Sequence, residues 1–240
     1  MGEKDKGSQK AIRRIRNIGI IAHIDAGKTT VSERLLFVTG KTHKMGEVHD
    51  GEAVMDYMVQ EQERGITISS AVTTFEWRNH DVHLVDTPGH VDFTMEVERS
   101  LRVLDGVVVV FDGVNGVEPQ SETVWHQADR YGVPRVAFIN KMDRVGADFA
   151  MSVKSMRDRF PQKILPIQLP IGCESAFEGI VDLVGWRTMR WDGTDPRDAV
   201  IEDGVPEAME DEARQARDDL LGGVADFDET LADRYLNGDA

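Results

Sequence analysis

Apolar residues in this chain fall into two kinds of segment, short unbroken runs of strand length and longer stretches with helical spacing, and the two alternate. Residues 18–21 form an apolar run that stops at a compact stretch, 23–30, which predicts a buried strand entering a loop. Residues 31–37 place Leu35 and Leu36 on one face and then meet Gly40, a helix stop. Strand, loop and helix make the first unit of an α/β sheet. Residues 66–77, rich in Ile, Val, Thr and Phe, and residues 82–85 predict two more strands joined by a turn at 78–80. The runs 106–111 and 136–139 lack clean alternation, as strands buried on both faces do. Helical patterns at 92–104, 121–131 and 148–160 complete the order of a mostly parallel sheet.

Two regions break this rhythm. Residues 41–65 have no convincing period, and a long irregular stretch inside a compact domain is usually functional or disordered. Beyond Pro166 the chain offers short strands at 166–171, 179–184 and 188–191, then acidic helices at 206–221 and 226–235. That composition predicts a subdomain rather than another strand and helix repeat. The expected division is a basic leader over 1–15, a partial core domain over 16–165 and an insertion over 166–240.

Length and charge refine the picture. The chain has 240 residues, 40% hydrophobic and 30% charged, as in ordinary soluble globular proteins. It contains no apolar span of about 18 residues, so no membrane helix is expected. The basic leader lacks the apolar core of a secretory signal, and a single cysteine, Cys173, suits a reducing compartment, so a cytoplasmic location is expected. Net charge is −15. Residues 192–240 hold sixteen acidic and four basic residues, a local net of −12, which leaves the rest nearly neutral. The acidic region reads either as a solvated helical surface or as a docking face.

The central chemical signal is Ala22-His23-Ile24-Asp25-Ala26-Gly27-Lys28-Thr29, followed by Thr30. Its spacing is that of a P-loop, with Ala22 where the strict pattern has glycine. Gly27 lets the backbone turn beneath phosphates, Lys28 reaches the terminal phosphates, and Thr29 offers its hydroxyl to Mg²⁺. Asp86-Thr87-Pro88-Gly89 follows a strand, so Asp86 can hold Mg²⁺ through a water and the Gly89 amide can sense a γ-phosphate. Asn140-Lys141-Met142-Asp143 closes another buried run. The Asp143 carboxylate accepts from guanine N1 and its exocyclic amine, a donor pair adenine lacks. Asn140 would brace neighbouring loops and the Lys141 stem would cover the base. In this order the three motifs imply GTP or GDP with Mg²⁺, on an α/β P-loop GTPase sheet with helices on both faces.

Two further residues bear on hydrolysis. Thr67, in Arg64-Gly65-Ile66-Thr67-Ile68, would complete the Mg²⁺ shell when its loop closes, and it reads otherwise as a strand-start threonine. His90 follows Gly89 and would orient the attacking water, while its alternative reading is a solvated loop histidine. Ile24 and Ile66 read either as an apolar gate beside it or as core. No arginine can be assigned by spacing as an internal finger, so slow unassisted hydrolysis is expected.

From Arg16 onward the chain resembles the elongation factor G family of bacterial translational GTPases. The likeness is carried by Arg16-Asn17-Ile18-Gly19-Ile20 and by residues 22–30, 43–49, 60–68, 86–93, 116–123 and 140–143. Ala22 is normal in that family. The resemblance implies roles for Lys28 and Thr29 at phosphate and Mg²⁺, Thr67 in the first switch, and Asp86 and His90 in the second. It assigns guanine selection to Asn140, Lys141 and Asp143. As partners it implies the ribosome, including large-subunit RNA and the stalk protein, and the tRNA–mRNA complex through further domains. Ribosome-protection proteins, the GTPase that recycles release factors and a stand-alone GTP-binding module remain as other readings. The family also has a late Ser-Ala loop at the base, and Ser175-Ala176 is expected to be a decoy for it. The true loop, a last core strand and a packing helix would then follow Ala240, leaving the sheet incomplete at its carboxyl end and nucleotide binding weak.

Overall fold

The computed structural model describes residues 12–42, 71–86, 94–191, 193 and 195–238. They divide into two compact units, 1–140 and 141–240. In the first unit the elements are β1 (Ile15–Ala22), α1 (Lys28–Val38), β2 (Ala71–Trp77), β3 (His80–Asp86), α2 (Thr94–Leu101), β4 (Gly106–Asp112), α3 (Pro119–Arg130) and β5 (Arg135–Asn140). The sheet order is β2-β3-β1-β4-β5. All neighbours are parallel except β2 and β3, whose hairpin turns through Arg78 and Asn79 in left-handed conformations, φ 45° and 62°. Such a turn matches the natural twist of paired strands.

From β1 the chain first builds outward to β2 and β3 on one side, then to β4 and β5 on the other. The switch point therefore falls beside β1, and ligands of open α/β sheets bind at the carboxyl ends of strands there. The apolar runs explain the core. Ile20, Leu84 and Val110 from three strands meet Leu36 of α1, each essentially inaccessible, with Ala22, Ala26, Phe75 and Val82 around them. β4 is buried along most of its length, as its valine run requires. β5 is not: as an edge strand it leaves Val136 and Phe138 exposed at 54% and 44%. The burial on both faces expected of β5 is not present among the described residues, where no layer covers the face that carries Val136 and Phe138.

The second unit contains α4 (Phe149–Arg159), β6 (Gln168–Ile171), β7 (Gly179–Asp182), β8 (Arg187–Trp191), β9 (Ala199–Asp203), α5 (Glu210–Ala225) and α6 (Glu229–Leu236). Its four strands form an antiparallel sheet in sequence order. Leu169, Ile171, Val181 and Leu183 pack with Ala213 and Leu220 of α5, and Phe149 of α4 joins them. That contact explains why α4 falls in this unit although the composition changes only at Pro166. Asp148 and Asp228 cap α4 and α6, accepting from Met151 N and Leu231 N at 2.9 Å. Tyr235 of α6 donates to Asp218 of α5 at 2.8 Å, and this hydrogen bond to a carboxylate raises the phenol's pKa above its usual value.

The core assignment makes a stability prediction. Leu84→Ala should cost about 2–5 kcal/mol in urea denaturation, because a wholly buried side chain leaves a cavity. Val136→Ala, on the open side of β5, should cost about 0.5 kcal/mol or less. Equal losses would contradict this placement of the core.

Candidate functional site

The end of β1 delivers the chain to the phosphate-loop sequence. Ala22 and Ala26 are buried, His23 and Ile24 are half-buried, and Asp25 is exposed. Asp25 and Gly27 adopt left-handed backbone, φ 66° and 98°. Left-handed residues of this kind occur where successive amides make anion-binding concavities. Ala26 N donates to His23 O at 3.1 Å to close the turn, and Ile24 N reaches Gln120 Oε1 of α3 at 3.4 Å. Gly27 is required for space as well as for φ, since a Cβ there would stand 2.3 Å from Asn140 Nδ2. The Asn140 amide is close because it donates to Ala26 O at 2.8 Å. Asn140 thus contacts the loop that it is expected to brace.

Helix α1 starts at Lys28 with no side-chain cap and no acid in its first turn. Its leading amides and the positive end of its dipole meet no competing carboxylate from the helix itself, a setting that suits phosphate. Thr29 is half-buried and Thr30 exposed on that turn.

Beside this helix end, Lys28 Nζ lies 2.6 Å from Asp86 Oδ1, the side chains being 9% and 0% exposed. Parallel pairing of β1 with β3 sets Ile20 opposite Asp86, and so puts the carboxylate at the last position of its strand next to the loop. In this pair each group compensates the other's charge on removal from water. His23 Nε2 lies 3.4 Å from Glu118 Oε1, and its Nδ1 is buried without a hydrogen-bond partner among the described residues. Asp112, 7% exposed at the end of β4, accepts from Val114 N at 2.8 Å.

Asn140 ends the first unit, and the residues after it open the second. There Lys141 is left-handed, φ 61°, and Arg144 N and Ala147 N donate to Lys141 O and Arg144 O at 3.0 and 3.1 Å. Met142 and Ala147 are buried, which anchors the loop, while Asp143 is exposed. Ser175 and Ala176 lie in a short 3₁₀ turn, Glu174–Ala176, between β6 and β7, and both are exposed. Thr67, Gly89 and His90 lie outside the described residues.

These residues fit a nucleotide and Mg²⁺. The uncapped helix start and the loop of left-handed residues suit phosphate oxygens, and the ammonium of Lys28 suits their charge. The Thr29 hydroxyl and Asp86 carboxylate are hard oxygen donors, the kind Mg²⁺ prefers when it also keeps waters and phosphate ligands. Motif reading by itself missed Gln120 and Glu118 as neighbours of the loop, although both lie in the 116–123 segment that carries part of the family likeness.

Known proteins are similar to this chain in sequence and fold. Residues 13–219 match the family described as Elongation factor Tu GTP binding domain. Elongation factor G 2 of Syntrophus aciditrophicus is 62% identical over 228 residues, covering 95% of this chain and 34% of the relative. Elongation factor G 1 of Bdellovibrio bacteriovorus is 55% identical over all of this chain and 34% of its own length. Elongation factor G of Fervidobacterium nodosum is 53% identical over 99% of this chain, again 34% of the relative. The chain thus spans about a third of the length of these relatives. A crystal structure of a Thermus thermophilus protein superposes with a TM-score of 0.84 at 29% identity, covering 95% of this chain and 34% of that one.

The buried pair predicts a double-mutant signature in urea denaturation without nucleotide. Asp86→Leu, which removes the carboxylate facing a buried ammonium, should cost about 3–5 kcal/mol, whereas Lys28→Met and Asp86→Leu together should cost clearly less than the same two changes made singly and added. Simple additivity would mean that the two groups do not depend on each other.

Proposed function

The chain belongs to the elongation factor Tu GTP-binding domain family, and on that premise we propose that it is the GTP-binding and GTP-hydrolysing portion of a ribosomal translocase of the elongation factor G kind. The observation that carries this reading is the buried Lys28–Asp86 pair beside an uncapped helix start, at the switch point of a parallel sheet. The likeness to elongation factors G, 53–62% identical over nearly the whole chain, supports it.

In this reading Lys28 and the first amides of α1 hold the phosphates, and Thr29, Asp86 and Thr67 hold Mg²⁺. Bound Mg²⁺ supplies positive charge that offsets the negative charge of the phosphate oxygens. With nucleotide bound, Lys28 would turn from its carboxylate partner to phosphate, and Asp86 would hold the metal through a water. Gly89 offers an amide to the γ-phosphate end. His90 orients the attacking water without acting as a full base. Asn140 holds the phosphate loop through Ala26 O, Lys141 covers the base with its stem, and Asp143 accepts from guanine. The antiparallel sheet and acidic helices after Pro166 support the reading of that region as an insertion whose surface meets the ribosomal stalk. The ribosome, with its RNA, is the activating partner, the tRNA–mRNA complex is the cargo, and the site of action is the cytoplasm. Among the described residues no helix is long and apolar enough to cross a membrane.

Base recognition is tested by Asp143→Asn. GDP affinity should fall by about two orders of magnitude while xanthosine diphosphate binding improves, since xanthine presents a carbonyl where guanine has its amine. Unchanged base preference in competition binding would overturn the assignment. For hydrolysis, His90→Ala should lower ribosome-stimulated single-turnover rates by about 10²-fold or more. GTP affinity should stay nearly as it was, and equal loss of rate and affinity would remove His90 from that role.

A further inference from the structure

The hairpin joining β6 to β7 grips the loop that carries Asp143. Ile171 pairs with Gly179, so the intervening residues must reverse within a tight turn. Inside it Ala176 N donates to Cys173 O at 3.0 Å, Phe177 N to Glu174 O at 3.1 Å, and Glu178 N to Ile171 O at 2.9 Å. Gly172 admits no side chain, because a Cβ would stand 1.9 Å from Ala176 O. A turn wound this closely presents Glu174 in one fixed place.

Glu174 then makes two bonds to the loop after β5. Its backbone N–H donates to Met142 O at 2.8 Å, and its Oε1 accepts from Gly146 N at 2.7 Å. One bond falls on the residue before Asp143 and the other three residues after it. Glu174 itself is left-handed, φ 52°, a conformation disfavoured for a side chain of its size and offset here by bonds from both its backbone and its carboxylate. Met142 is buried at 7% exposure and fixes the loop from within, while Glu174 fixes it from the hairpin.

The geometry points to Glu174 as a positioning residue for guanine recognition, one that holds the Asp143 carboxylate in place by clasping the loop on both sides of it. This rests on the reading of Asp143 as the group that accepts from guanine. A carboxylate must meet N1 and the exocyclic amine together, so a loop free to shift loses the amine contact before it loses the phosphates. The Glu174 clasp also makes the antiparallel sheet part of the base-recognition apparatus rather than an appendage.

The test compares GDP with inosine diphosphate, which lacks the exocyclic amine, in competition binding to the whole natural protein. Glu174→Ala and Glu174→Asp, the second too short to reach Gly146 N, should weaken GDP by about 3- to 10-fold, a partial loss of one charge-assisted hydrogen bond, since the Asp143 carboxylate is displaced rather than removed. Inosine diphosphate should lose less, so that the ratio of the two affinities contracts. Glu174→Gln, which keeps an acceptor oxygen of the same reach, should retain the parent ratio. An unchanged ratio in the Ala and Asp variants overturns the proposal, even if melting temperature falls, and so does a Gln variant as impaired as Ala. Should Glu174→Ala fail to fold, the contrast between Asp and Gln decides alone. Asp143→Asn is measured in parallel. If it leaves base preference unchanged, the guanine reading fails and the proposal with it; if it switches preference while the Glu174 series stays flat, only the proposal fails.

Discussion

A lysine ammonium and an aspartate carboxylate, buried together 2.6 Å apart, set the terms for the rest of this domain. Each compensates the other's charge in burial, and their meeting depends on three features. Parallel pairing of β1 and β3 brings Asp86 to the loop end of the sheet. Left-handed Gly27 turns the chain into α1 so that Lys28 opens the helix. Asn140, at the end of β5, ties the loop down through Ala26 O. The apolar cluster of Ile20, Leu36, Leu84 and Val110 supplies the rigid floor beneath them.

An apolar pair of similar volume would often be as stable or more so, because desolvating two ions consumes most of their mutual attraction. The charges make sense when their partners can change. In the proposed function phosphate competes for Lys28 and a hydrated cation for Asp86, so that nucleotide binding would exchange one compensated arrangement for another instead of creating buried charge from nothing. The uncapped start of α1 belongs to the same logic, since a capping carboxylate there would occupy the amides that phosphate needs.

Much of this was legible in the chain. Unbroken apolar runs marked β1, β3 and β4 because those strands are buried by neighbours on each side, and the three motifs fell at strand ends, where the sheet delivers them. Edges were harder to read. β5 has the composition of an inner strand yet leaves Val136 and Phe138 open, and β9 escaped notice because Val200 and Ile201 are exposed and followed by Glu202 and Asp203. Sequence separation hid the pairing of Lys28 with Asp86, although each residue was read singly as a phosphate or metal group. The contact of Glu174 with the Asp143 loop could not be read at all, because it depends on left-handed backbone in a turn whose sequence names no such conformation. Thr67, Gly89 and His90 rest on motif order and lie outside the described residues.

The central claim is that Lys28 and Asp86 hold each other's place until nucleotide and metal arrive. A crystal structure of the whole natural protein with GDP and Mg²⁺ tests it most directly. The account predicts that Lys28 Nζ moves from Asp86 onto the β-phosphate, that their separation grows beyond 2.6 Å, and that Asp86 faces the water shell of the metal. Nucleotide bound with the Lys28–Asp86 contact unchanged, or bound away from the start of α1, would contradict it.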